Sequence, residues 1–252
     1  MQNPDEPHAA ASPRHSAVVR VTHWLTVIAF VALLITGIEI VISHPRFYWG
    51  EVGTVMTKPL FTLPIPASRD TVPTGYNYIM PDGNGWGRSL HFQAAWLVLF
   101  TGAVYFVASL WSGHLRRDLL PQRGQRSLAA FAQVIRQHLH LSQGVDDAGS
   151  YNVLQRTTYL GVIFVLFPMM IWTGLAMSPA FTAAVPWSVE LLGGKQTART
   201  LHFFVTNLLV LFVVVHGVMV TTAGFRIRMR AMITGRTSSP TTPATSIAEK
   251  HR

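Results

Sequence analysis

The sequence has no cysteine. That absence excludes disulfides, iron–sulfur clusters and zinc sites built on thiolates, and covalent haem attachment through a C-x-x-C-H segment. Charge is also scarce. Only 12% of residues are charged against 49% hydrophobic, and mean hydropathy is positive. So few charges cannot cover a water-soluble protein of 252 residues. The formal charge of +9 comes from 20 Lys and Arg against 11 Asp and Glu. These basic residues flank long apolar runs and form no separate patch, which favours orientation in a lipid bilayer over binding of nucleic acid. Any metal centre must use ligands other than cysteine, and 11 histidines are available.

Four runs approach the roughly 20 apolar residues that cross the hydrocarbon layer as a helix. They cover about 18–42, 90–111, 157–178 and 200–223. A lone apolar segment in lipid finds no water for its backbone, so helix is its only option. The expected fold is an all-α integral membrane protein, a four-transmembrane-helix bundle. Residues 1–16 are polar, and the run after them is too long for the core of a cleaved signal, so it is expected to be the first anchor.

The flanks orient the bundle. With Arg20 included, segments 1–17, 112–156 and 224–252 hold 14 of the 20 Lys and Arg. The positive-inside rule places both termini in the cytoplasm, as in a multi-pass protein of a bacterial inner membrane. The chain then divides into a cytoplasmic segment 1–17, a four-helix domain 18–223, and a basic and then disordered tail 224–252. The outside segment 43–89 is rich in Pro, Gly and aromatics; it either packs or binds something, or supplies an interfacial belt. Inside, Leu128, Phe131, Ile135 and Leu139 recur at helical spacing, as in an amphipathic surface helix.

Four histidines lie within the spans: His23, His91, His202 and His216. Ionisable residues there are rare and usually functional. His202 and His216 are fourteen residues apart, which puts them within about 40° of one helix face and about 21 Å apart along the axis. Helix directions then set His91 level with His202 at the outer side, and His23 level with His216 at the inner side. Two imidazoles facing each other across a bundle can ligate one haem iron from both sides. Such a site leaves no open position, which suits electron transfer. The third span has no histidine.

Arginine repeats at a fixed offset: Arg20, Arg88 and Arg199 each precede a span histidine by three residues. A guanidinium one turn nearer the surface can pair with a haem propionate; snorkelling to the interface is the plainer alternative. Val occupies this position before His216, where Arg226 or Arg228 would have to serve. Gly37 and Gly102 fall on ligand faces and leave room for a macrocycle or for close helix packing.

These residues together resemble the bacterial di-haem cytochrome b family: the membrane subunits of nickel–iron hydrogenase, formate dehydrogenase-N and thiosulfate reductase. The likeness covers residues 15 to about 235. It rests on His23-Trp24, on Arg88-Ser89-Leu90-His91, and on Arg199-Thr200-Leu201-His202 with His216. It implies two non-covalent b haems on His23, His91, His202 and His216. It also implies a quinone site at the inner level, where Asn152 and Gln155 match a short Asn-x-x-Gln segment before the third span. A polar helix start capped by Asn152 is the competing interpretation. The outer segment, ending Gly85-Trp86-Gly87-Arg88, is more similar to relatives that accompany sulfite-oxidase-like molybdopterin oxidoreductases. The implied function is electron transfer between the quinone pool and a partner enzyme on the outer, periplasmic side. The alternatives are a stand-alone quinol oxidase or reductase of a small acceptor, and a haem-free proton-coupled transporter with histidine relays.

Overall fold

The computed structural model describes residues 15–54, 56–65, 86–113, 158–222 and 224–235. Asn152, Gln155 and the expected surface helix at 127–141 lie outside the described residues. The fold is all-α, and four helices are long and apolar enough to cross a membrane. They are α1 (Ala17–Ser43), α2 (Trp86–Trp111), α3 (Thr158–Ala176) and, after the short helices α4 (Pro179–Ala184) and α5 (Pro186–Leu191), α6 (Lys195–Thr222). A last helix, α7 (Phe225–Thr234), turns back from the end of α6.

Two starts differ from expectation. The second helix is already formed at Trp86, ahead of the expected 90, and the fourth begins at Lys195, ahead of 200. Apolarity marks where a helix enters lipid, whereas the polar turn ahead of it is already helical. On α6 that turn is capped from a distance. The Gly50 carbonyl accepts from the amides of Gln196 and Thr197, and the Glu51 carboxylate accepts from Lys195 N–H. These are the donors that a helix start leaves without partners. Gly194 makes the approach possible: its φ is +107°, and a side chain there would strike the backbone of Gly50.

The helices associate through small residues. On α1 the buried positions are Thr22, Ala29 and Thr36; on α2 they include Gly87, Ala94 and Thr101. Each set recurs every seven residues, the spacing of a left-handed crossing seam. Large apolar side chains such as Ile28, Ile35, Phe100, Leu211 and Val218 point outward, as in a protein whose solvent is lipid. Within α3, residues Val162–Leu166 form a π-helical turn. It precedes Pro168, which cannot donate to a carbonyl one turn back, so the widened turn lets the helix continue.

The segment after α1 is built onto α6. A two-residue pairing of β1 (Arg46–Phe47) with β2 (Phe61–Thr62) holds it. Phe47 is buried between Phe61 and Phe203, and the Thr200 hydroxyl donates to the Tyr48 carbonyl at 2.7 Å. Packing, and not only an interfacial belt, therefore accounts for Phe47 and Tyr48; Trp49 stays exposed. This region is the loop end of the bundle, and the α7 region is the tail end.

Candidate functional site

Backbones approach closely within two helix pairs, α1 with α2 and α3 with α6. Between the pairs the approach is sparser, and histidine rings reach across. At the loop end His91 of α2 faces His202 of α6, with ring centres 6.4 Å apart and planes at 61°. At the tail end His23 of α1 faces His216 of α6, also at 6.4 Å and 61°. These are the two pairs expected from helix direction and depth. A metal–imidazole bond is about 2.0 Å and the nitrogen lies about 1.1 Å from the ring centre, so two rings on opposite sides of one metal have centres about 6 Å apart. No cluster of three or more His, Asp or Glu suited to a metal occurs among the described residues. Two-ligand sites of this spacing fit a metal whose remaining positions come from a macrocycle.

The loop-end rings are oriented by hydroxyls. Thr36 Oγ1 lies 2.9 Å from His91 Nδ1, and Thr173 Oγ1 lies 3.0 Å from His202 Nδ1. Each threonine already donates its single proton to a carbonyl one turn back, Thr36 to Ala32 at 2.7 Å and Thr173 to Met169 at 2.8 Å. Each oxygen can then only accept from the imidazole. The proton sits on Nδ1, and Nε2 keeps its lone pair for a metal. Both threonines are fully buried. Small neighbours stand beside the same rings: a side chain on Gly37 would meet His91 Cε1 at 3.6 Å, and one on Gly174 would meet His202 Cε1 at 3.4 Å. All four spans therefore meet at the loop end, with α3 supplying Thr173 and Gly174 where it lacks a histidine.

Thr36, Thr173 and Gly174 were not expected from the sequence. A usable signal existed, because a Thr-Gly pair occurs on three spans: Thr36-Gly37, Thr101-Gly102 and Thr173-Gly174. A side chain at Gly102 would meet nothing within 4 Å.

The tail-end rings are framed by aromatics. Trp24 stands edge-on to His23 at 5.5 Å, and Phe212 stacks on His216 at 5.8 Å. The Trp24 indole donates to the Met232 carbonyl at 3.2 Å, and Arg20 Nη1 donates to the Ile233 carbonyl at 2.9 Å. Both contacts close the carbonyl end of α7 against α1. A groove of about 600 Å³ runs between them, lined by Val21, Leu25, Ile28 and Ile233 as well as Arg20 and Trp24.

The three arginines differ in setting. Arg20 keeps a buried Nε without a hydrogen-bond partner among the described residues, the kind of donor a propionate would satisfy. Arg199 donates to the His44 carbonyl and stacks 5.0 Å from the Phe47 ring, so part of its role is to hold the loop. Arg88 is exposed. Beyond α1, His44 is pushed down to about 4, chiefly by burial and then by the Arg199 charge.

The profile of the prokaryotic cytochrome b561 family matches residues 14–235. The chain belongs to that family. It is a multi-pass, b-type haem membrane protein of the electron-transfer class. Among curated relatives of this cytochrome, one from Azospira oryzae is named as a protein-methionine-sulfoxide reductase subunit, YedZ1. It is 31% identical over 82% of this chain and 89% of its own length. Another, from Cupriavidus necator, is named as a nickel–iron hydrogenase B-type cytochrome subunit. It is 26% identical over 80% of this chain and 75% of its own length. No solved structure matches the chain. Both relatives are named as subunits of oxidoreductases, which supports a partner enzyme for this cytochrome.

Proposed function

We propose that this cytochrome holds two b haems, one between His91 and His202 and one between His23 and His216, and links the quinone pool to an oxidoreductase docked at the loop end. The observation that carries the proposal is the repeated ring spacing of 6.4 Å at two levels of one bundle. Haem, when bound, would supply a one-electron iron couple. The chain would supply the ligating imidazoles at two levels, set about 21 Å apart along α6 by fourteen residues of helix. Thr36 and Thr173 hold the loop-end rings in the metal-binding tautomer, and Arg20, Arg88 and Arg199 offer cations to propionates near the surfaces.

The positive-inside balance supports a tail end at the cytoplasm of a bacterial inner membrane and a loop end in the periplasm. The segment 44–65, anchored on α6, is then the docking face for the partner. A molybdopterin enzyme is the proposed class, from the likeness of the Gly85-Trp86-Gly87-Arg88 end to cytochromes that accompany such enzymes. Quinone reacts at the tail end, with Asn152 and Gln155 hydrogen-bonding its carbonyl.

The experiment is quinol-driven haem reduction in Asn152→Ala and Gln155→Ala. Both variants keep a normal haem spectrum and are reduced more slowly, because the contact that positions the ring is lost. Wild-type rates in both variants remove the quinone assignment. Co-purification of the wild type with a periplasmic oxidoreductase supports the partner, and a chain that purifies alone while reducing a small acceptor favours the stand-alone alternative.

A further inference from the structure

Among the described residues of the four spans there is one acidic side chain, Glu39 of α1. An acid inside a span is costly and tends to be kept where something uses it. Its setting is specific. The carboxylate rests against Gly87 of α2, and a side chain on Gly87 would overlap the Glu39 carboxylate. Gly87 is buried, so the space left by its missing side chain is filled by the acid and not by solvent. No ion pair to Glu39 occurs among the described residues, and Arg88, next to Gly87, is exposed.

The same stretch of α1 makes the contacts to His91. Thr36 reaches His91 Nδ1, Gly37 lies beside its Cε1, and Glu39 meets Gly87. Gly87 precedes His91 by four residues, about 6 Å of helix rise. The carboxylate thus sits about one turn from the loop-end ligand. The described residues of the tail end hold no acidic side chain.

We propose that Glu39 is an electrostatic positioning residue for the loop-end haem, lowering its reduction potential and so setting it apart from the tail-end haem. This rests on the two-haem proposal above. A nearby negative charge favours the oxidised iron, which carries one more positive charge. The effect is strong in a low-dielectric bundle and falls with distance. The tail-end pair, about 21 Å further along α6, feels little of it.

The test is a potentiometric titration of the full chain in lipid nanodiscs, followed by haem absorbance. The component that disappears in His91→Ala is taken as the loop-end haem. In Glu39→Gln that component moves to higher potential while the other stays in place. Gly87→Ala keeps the acid but displaces it, and moves the same component the same way. Glu39→Asp, which keeps the charge, stays nearer to wild type than Glu39→Gln. A role limited to clamping α1 on α2 leaves the potential of a retained haem unchanged. Unmoved potentials in both Glu39→Gln and Gly87→Ala overturn the inference, and so does an equal shift of both components. Fewer than two haems per chain in the wild type overturns the two-haem proposal instead, before any Glu39 variant is made, whereas two haems titrating as a single component overturn the inference.

Discussion

At the loop end, each ligand ring is fixed by a buried threonine, flanked by a glycine, and covered by a segment whose backbone caps α6. At the tail end, the rings have the same spacing but are framed by Trp24 and Phe212, and Trp24 also lines the groove between α1 and α7. One end is held by directed hydrogen bonds and the other by ring packing. Directed hydrogen bonds fix the orientation of the loop-end rings, whereas ring packing holds the tail-end pair. Under the proposed division of labour, partner at the loop and quinone at the tail, the pair with the fixed orientation is the one nearer the partner.

The largest expected effects break one end and spare the other. His91→Ala and His202→Ala each remove the loop-end redox component, and His23→Ala and His216→Ala each remove the tail-end one. Redox titration of the four variants reads this directly. If His23→Ala and His202→Ala lost the same component, the pairing would be wrong.

A smaller effect separates the two ways of holding a ring. Thr36→Val and Thr173→Val keep the shape but remove the acceptor for Nδ1–H. Lost partners of this kind cost about 10–100-fold in metal affinity. Haem retention measured against a competing apoprotein should fall in both variants, from the loop end alone. Equal loss from the tail end would mean that the threonines act on the whole bundle.

The loop end also carries a pH dependence through His44, whose pKa falls from 6.5 to about 4 by burial and then by the Arg199 charge. Between these values the unfolded segment binds more protons than the folded one. Stability of the loop is complete above about 6.5 and declines as pH falls towards 4. Protection factors of the amides in residues 44–54, which take out the base-catalysed intrinsic rate, should be higher at pH 7 than at pH 5, and His44→Asn should flatten that difference. An unchanged difference in the variant would point to another titrating group.

The smallest effect lies at the tail end. Trp24→Phe removes the donor to the Met232 carbonyl and keeps an aromatic ring beside His23. The loss is about 1 kcal/mol of α7 docking, visible as faster exchange in residues 225–234 with an unaltered haem spectrum. Loss of the tail-end haem would show that the tether positions the ligand as well.

Much of this comparison is legible without coordinates. Four apolar runs, the fourteen-residue step from His202 to His216, and alternating helix direction predict which rings share a level. Those signals are local or periodic. Thr36 and Thr173 escape notice because threonine is ordinary in a membrane helix, and their partners are 55 and 29 residues away. Glu39 is visible in sequence as an acid in a span, but its use depends on the notch at Gly87, which only packing reveals. The helix start at Lys195 lies ahead of the apolar run because hydropathy measures lipid contact, while a polar first turn can be stabilised by a distant loop.

The central claim is that both ring pairs ligate haem iron axially. The most direct measurement is haem per chain on the purified protein, with the reduced and oxidised absorption and electron paramagnetic resonance spectra. The account predicts two haems per chain, both low-spin and six-coordinate with nitrogen on each side. One haem or none per chain, or a high-spin signal from an iron with an open position, would contradict it.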